Sequence, residues 1–366
     1  MTVLSRRALG RATLARQLLL ERSDLSVLDA VEHLVGLQAQ TPHTWYVGLW
    51  GRLLDLRAET VSDLLASREL VRIALMRATI HLVTAEDALA VRPLLDSVLT
   101  LPLGNFNRNL LGLDYDEIAV VGRDLIHATP MTLSELGRAM APRWPDRDPA
   151  SLAQVVRARE PLIQVTPRGL WRQSGAARHT TLQRWLGRQP GGGMSVQALV
   201  LRYLRAFGPA SVPDAQAWCG LTRLAEVLDQ LRPQLMVVRD EAGRELFDLP
   251  DSPRPGADTP APVRLLYDYD NLLLSHADRS RFHAAVPRAP VFDPHGPAPR
   301  MVLVDGVTAG VWVHDHGKQR STVTIRPFAS LDAATVTAIE QEAAALLDFL
   351  DADVPQHDVR VLRADA

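Results

Sequence analysis

Three times along this 366-residue sequence, short helical patterns lead into a pair of short strand patterns, and that order constrains the fold most. A helix cluster with a β-hairpin laid against it buries one face of every element, so each round can close a small core. In the first round residues 6–20 read as one helix and "SVLDAVEHLVGLQ" as another. Ser26 takes the N-cap position, with Asp29 at the third helical position as in a capping box. "TWYVGLWGRLLDL" and "TVSDLLAS" add two helices, "VRIALM" and "ATIHLV" a strand pair, and "AEDALAVRPLLDSVL" a return to helix.

The second round has "DEIAVVGRDLIHA", "TLSELGRAMA" and "PASLAQVVRA", then "LIQVTPRGLWR" as a hairpin turning at Pro167, Arg168 and Gly169. A glycine linker, "RQPGGGMS", leads to the third: "VQALVLRYLRAFG", "SVPDAQAWCG" and "LTRLAEVLDQLR", then strands "QLMVVRD" and "RELFDLP" around Glu241-Ala242-Gly243. Helices followed by a hairpin is the winged-helix order, and the Cys-Gly-Leu turn of the third round suits a helix-turn-helix. The proline-rich stretch 251–262 marks a boundary, after which four strand patterns, a hairpin turn at Asp305-Gly306, an acidic helix and a last strand follow. The expected fold is therefore α+β. Winged-helix modules at residues 1–112, 113–190 and 191–255 precede a small β-barrel-like domain at 256–366.

A chain this long exceeds a single typical core, so roughly two to four modules are expected. An apolar share of 47% and a charged share of 22% place it among ordinary globular proteins. No run of eighteen apolar residues occurs, so no transmembrane helix and no membrane partner are expected, and the arginine-studded N-terminus reads as a domain helix, not a signal peptide. Cys219 stands alone, which excludes an intramolecular disulfide and fits a reducing cytoplasm. The net charge of −2 conceals an asymmetry. Residues 136–190 hold ten arginines against three acids, whereas residues 331–366 hold eight acids against two arginines. Arg157, Arg159 and Arg168 belong to that basic stretch, an expected phosphate-contacting surface.

Gln38 and Gln40 sit where a helix meets Pro42. Gln38 falls on the apolar stripe of Leu28, Val31 and Val35, while Gln40 would lie about 200° round a regular helix. Pro42 biases Thr41 away from helical angles, so the helix is expected to end near Gln40. From position alone, the two amides read first as caps for the free carbonyls of that helix end and only second as a functional pair. The turn "HDHGKQR" carries His314, His316, Lys318 (the sole lysine) and Arg320, either a solvated charged turn or a phosphate-contacting tip. A metal site there is disfavoured, since adjacent strand residues face opposite ways and no further ligand stands out. Asp268 and Asp270 in "YDYDN" read as turn caps before they read as an acid/base pair.

"GLQAQTP", "RATIHLVTAEDA", "LLYDYDNLLLSHADRSRF" and "MVLVDGVTAGVW" together resemble the AlkZ-type bacterial DNA glycosylases over nearly the whole chain. The resemblance implies three tandem winged helices and a β-barrel closing a C-shaped DNA channel. It also implies a Gln-x-Gln catalytic motif at Gln38 and Gln40, in the form of the azinomycin-resistance glycosylases that unhook interstrand crosslinks joined through purine N7. His81, in the strand of one signature, is then expected to face DNA with the hairpin residues. No cofactor and no metal are expected. The partner is double-stranded DNA carrying N7-alkylpurines or crosslinks, bound by a monomer. An N7-alkylpurine is already cationic and can leave without a general acid, so amides that hold a water suffice. No lysine near Gln38 offers a Schiff base, so no lyase activity is expected. The alternatives are a non-catalytic winged-helix regulator, whose glutamines would be structural, and a protein that sequesters free drug.

Overall fold

The computed structural model describes residues 2–191, 193–283 and 298–364, so Gly192 of the expected linker lies outside the described residues. The chain is mixed α+β. Its strands are, in order, β1 (Val3–Leu4), β2 (Leu37–Gln38), β3 (Leu70–Ala74), β4 (Ile80–Thr84), β5 (Leu162–Gln164) and β6 (His179–Thr181). There follow β7 (Met236–Asp240), β8 (Glu245–Asp248), β9 (Arg264–Leu265), β10 (Arg300–Val304), β11 (Val307–His316), β12 (Arg320–Pro327) and β13 (Gln356–Val361). They form three sheets: β1-β7-β8, β2-β4-β3-β5-β6 and β13-β12-β11-β10-β9. The last is a curled half-barrel. Among the described residues no helix is long and apolar enough to cross a membrane.

Local chemistry explains many of the elements. Ser26 Oγ accepts from Asp29 N–H and starts the Val27–His33 helix. Asp305 and Gly306 both adopt positive φ (48° and 79°), as a two-residue turn matching the twist of β10 and β11 requires. Helices Val196–Phe207, Val212–Cys219 and Leu224–Leu231 lead into the β7–β8 hairpin in the order read from the sequence.

The helix holding the glutamine motif ends earlier than Pro42 suggests. Its last residue is His33, and it closes in a Schellman motif: Val35 N–H returns to the Glu32 carbonyl and Gly36 N–H to the Val31 carbonyl. Val35 and Gly36 carry φ of 54° and 86°. A Cβ on Gly36 would stand 2.4 Å from Val83 Cγ1 and 2.8 Å from the Leu82 carbonyl oxygen, so only glycine allows this close approach to β4. Beyond it Leu37 and Gln38 are strand, not the last turn of a helix.

The second hairpin also differs from expectation. The return strand of β5 is β6, and residues 165–178, including the expected turn at Pro167–Gly169, form an excursion between them. Moreover, β5 pairs with β3, so one sheet runs through both the first and the second round of the sequence pattern. The principal core likewise joins Leu37, Trp45 and Leu82 to Tyr203, Phe207 and Trp218 and to Tyr267 and Trp312. The helices between residues 115 and 159 keep a core of their own around Ile118, Leu136 and Leu152.

"YDYDN" forms the joint between the half-barrel region and the sheet that begins with β2. Asp270 caps Leu272 N–H and takes both Nη groups of Arg52 at 3.0 and 2.7 Å, with both partners buried. Tyr203 Oη donates to the Ser275 carbonyl at 2.8 Å, tying in the Val196–Phe207 helix.

Candidate active site

Extended backbone places alternate residues on opposite faces. Leu37 and Ala39 are fully buried in the principal core, so Gln38 and Gln40 share the other face. Pairing continues past β2, with Ala39 N–H donating to the Ile80 carbonyl at 2.7 Å. An extended path past Gln38 thus does what a helix end would do poorly: it carries both amides on the side away from Leu37 and Ala39, with Gln38 buried and Gln40 exposed.

Three side chains fix this segment. Asn271, the last residue of "YDYDN", behaves as a strand neighbour: its Nδ2 donates to the Gly36 carbonyl (2.6 Å) and its Oδ1 accepts from Gln38 N–H (3.2 Å). Arg72, stacked on Trp45, donates from Nη2 to the Ala39 carbonyl at 3.0 Å. Arg77, held at φ 56°, donates from Nη2 to Gln38 Oε1 at 2.8 Å and from Nη1 to the Trp218 carbonyl at 2.5 Å. Gln40 Oε1 in turn accepts from Ile80 N–H at 3.3 Å.

These contacts determine which way the amides point. Arginine and the backbone N–H only donate, so each glutamine must turn its oxygen toward them. Both Nε2 groups are left without a protein acceptor among the described residues, and each oxygen keeps a second lone pair. The surroundings are cationic, with both arginines desolvated. Burial lowers the Arg77 guanidinium to about 10, and burial together with nearby Arg168 lowers Arg72 to about 9. Among the described residues no carboxylate hydrogen-bonds to either glutamine or to Arg77. Asp270 is taken by Arg52, and Asp268 is buried with Oδ1 unpartnered.

The other expected site residues are distributed unevenly. His81 lies directly across from Gln38 but is only 1% exposed, and burial, reinforced by Arg77, lowers its ring to about 3. The structure packs its ring away from solvent, with Nδ1 at the Thr79 carbonyl. His314 and His316 share one face of β11, and both turn onto the buried carboxylate of Asp351, Nε2 of one at 2.6 Å and Nδ1 of the other at 2.8 Å. Ser321 donates to that same carboxylate. Lys318 and Arg320 stand exposed at the tip, Arg320 on the Gln356 side-chain oxygen.

The arginine-rich stretch carries less free charge than its composition suggests, because the fold brings it acids from elsewhere. Arg143 pairs with Glu117, Arg159 with Asp116, Arg172 with Asp353, Arg178 with Glu135 and Arg188 with Glu86. Arg157 is half-buried and its guanidinium is lowered by desolvation, while Arg168 donates to the Gly175 carbonyl.

A cavity of about 560 Å³ opens two residues beyond Gln40, a volume suited to a small-molecule-sized group. Pro42, His43 and Thr44 form one wall, Trp171 and Arg172 another, and Arg300, His314, His316 and Asp351 the third.

Sequence reasoning assigned no role to Arg77, Asn271 or Arg72, although Arg77 opens the "RATIHLV" stretch and Asn271 closes "YDYDN". Their signal was position within a motif; their function needed the contact.

A family model described as DNA glycosylase AlkZ-like matches residues 31–349. The DNA glycosylase AlkZ of Streptomyces sahachiroi has a similar structure, with a TM-score of 0.76 at 23% identity, covering 99% of this chain and 100% of that one. No curated protein sequence gives a significant match.

Proposed function

The chain belongs to the AlkZ-like DNA glycosylase family, and from that premise we propose that it hydrolyses the N-glycosidic bond of N7-alkylated purines in duplex DNA, including purines tied into interstrand crosslinks. The observation that carries this reading is the alignment of Gln38 and Gln40 on one extended face with no carboxylate bonded to either. In N7-alkylguanine the ring is already cationic. As the bond from C1′ to N9 breaks, its electron pair returns to the ring and neutralises it, so no general acid is required. Water adds to C1′ and gives up one proton to bulk water, since neither amide can hold it.

Gln38 Nε2 and Gln40 Nε2 are free to donate to that water, and the second lone pair of each oxygen can accept from it. Because Gln38 turns its carbonyl toward Arg77, its part is to hold water, more than to face the sugar cation. An amide cannot protonate a departing base, which restricts the site to leaving groups that arrive charged. Without a lysine at the site, water is the nucleophile and strand cleavage does not follow excision.

DNA would lie along winged helices, of which residues 196–248 have the element order, with Lys318 and Arg320 reaching phosphate from the half-barrel hairpin. Arg157, Arg159 and Arg168 remain candidate phosphate contacts that would exchange a protein partner for DNA. The protein would act as a cytoplasmic monomer without cofactor.

Incubation with duplex bearing a single N7-methylguanine, followed by alkali, tests the proposal. Alkali-labile sites with the wild type, and at least a tenfold slower rate with Gln38→Ala, are expected. Binding without any excision would instead identify a non-catalytic DNA-binding protein.

A further inference from the structure

The cavity whose lining begins at Pro42 contains one guanidinium without a hydrogen-bond acceptor among the described residues. Arg300 lies opposite Trp312 in the β10–β11 ladder, on the face that continues to His314 and His316, and its guanidinium stacks over the Trp312 ring at 5.0 Å. It is half-buried and desolvated, and among the described residues no carboxylate or carbonyl accepts from it. Asp268 acts on it only through space.

The remaining charges of the cavity are spoken for. Asp351 accepts from His314, His316 and Ser321, and Asp353 is paired with Arg172. Neither acid bonds to Arg300, whose N–H groups have no acceptor among the described residues. A planar fork of N–H groups in a partly dry cavity, backed by an aromatic ring, is suited to bidentate binding of an oxyanion.

Resting on the function proposed above, we propose that Arg300 binds a backbone phosphodiester next to the nucleotide being excised. The position rests on the cavity wall at Pro42–Thr44, which begins two residues along the chain from Gln40. A phosphate held there would fix the strand relative to the two amides, and the contact would add to affinity without taking part in bond cleavage.

The test uses the full chain with duplex carrying one N7-methylguanine. Arg300→Met keeps the apolar stem over Trp312, and Arg300→Lys keeps the charge without the fork. One lost phosphate contact makes the slope of log affinity against log salt shallower by about 0.9. Over a fourfold rise in salt, wild-type affinity should thus fall about 3.5-fold more than that of Arg300→Met. Arg300→Lys should restore the slope. A neutral methylphosphonate placed at successive positions around the lesion should weaken wild type at one position and leave Arg300→Met indifferent there. An unchanged slope in Arg300→Met, or equal sensitivity of both proteins at every position, would overturn the phosphate assignment while leaving the glycosylase reading intact. A wild type that neither binds nor excises the duplex would overturn both.

Discussion

Arg77→Met isolates the step from fold to chemistry. The substitution removes the hydrogen bond to Gln38 Oε1 and the bond to the Trp218 carbonyl, and retains an apolar stem of similar length. Gln38 N–H remains clamped by Asn271, so the backbone stays in place while the side chain is released. Fixing a glutamine side chain costs about 1.5–2 kcal/mol of conformational entropy. If Arg77 supplies that restraint in the wild type, its loss slows the chemical step by about 10- to 30-fold, at about 1.36 kcal/mol per decade. The assay is single-turnover excision of N7-methylguanine at saturating enzyme, with alkali-labile ends quantified. Duplex affinity, measured separately, should change by less than about twofold. The decisive comparison is a double-mutant cycle with Gln38→Ala. On that background Arg77→Met has no side chain left to release and should change the rate by less than about twofold. An equal slowing on both backgrounds would show that Arg77 acts independently of Gln38 and does not orient it.

Asn271→Ala deprives Gly36 and Gln38 of their strand-like partner and should reduce excision more than it reduces thermal stability, read by comparing rate with melting temperature. Asp270→Ala leaves the buried Arg52 guanidinium without its carboxylate and should cost about 3–5 kcal/mol in urea unfolding, whereas replacing both partners by apolar residues should cost far less. Stability should fall on acidification from pH 7 to pH 5. His81 and His179 are lowered by burial to about 3 and about 4, so in this window only the unfolded chain takes up protons on them. Each contributes stability that is complete above about pH 6.5 and is lost progressively toward its folded value, about 2 kcal/mol apiece by pH 5. His81→Gln should remove one such share of the slope, and parallel urea midpoints for the two proteins would count against this.

Much of the fold was legible in nearest neighbours along the chain. Ser26 and Asp29, the Asp305-Gly306 turn, the β3–β4 pair and the capping by Asp270 all follow from chemistry acting over two to five residues. The glutamines could be singled out because amides on an apolar stripe conflict with helical patterning. The end of their helix could not be placed, since Leu37 continues that periodicity and Pro42 is the next visible breaker. What stops the helix at His33 is the approach of Gly36 to Val83, a residue more than forty positions away. That contact replaces a helix, on which the two amides would lie some 200° apart, by an extended path from Leu37.

The same limit governs charge and modularity. Ten arginines within fifty-five residues are a property of composition, but whether they are free depends on Asp116, Glu117, Glu86 and Asp353, all outside that stretch. A thrice-repeated element order is visible along the chain, yet β5 joins the sheet of β3 because edge strands seek partners in space without regard to sequence order. Local patterning thus specified the elements, their caps and the two unusual side chains. The direction in which those side chains point came from Arg77, Ile80 and Asn271, because an amide takes its orientation from the donor that reaches it, and those donors are brought there only by folding.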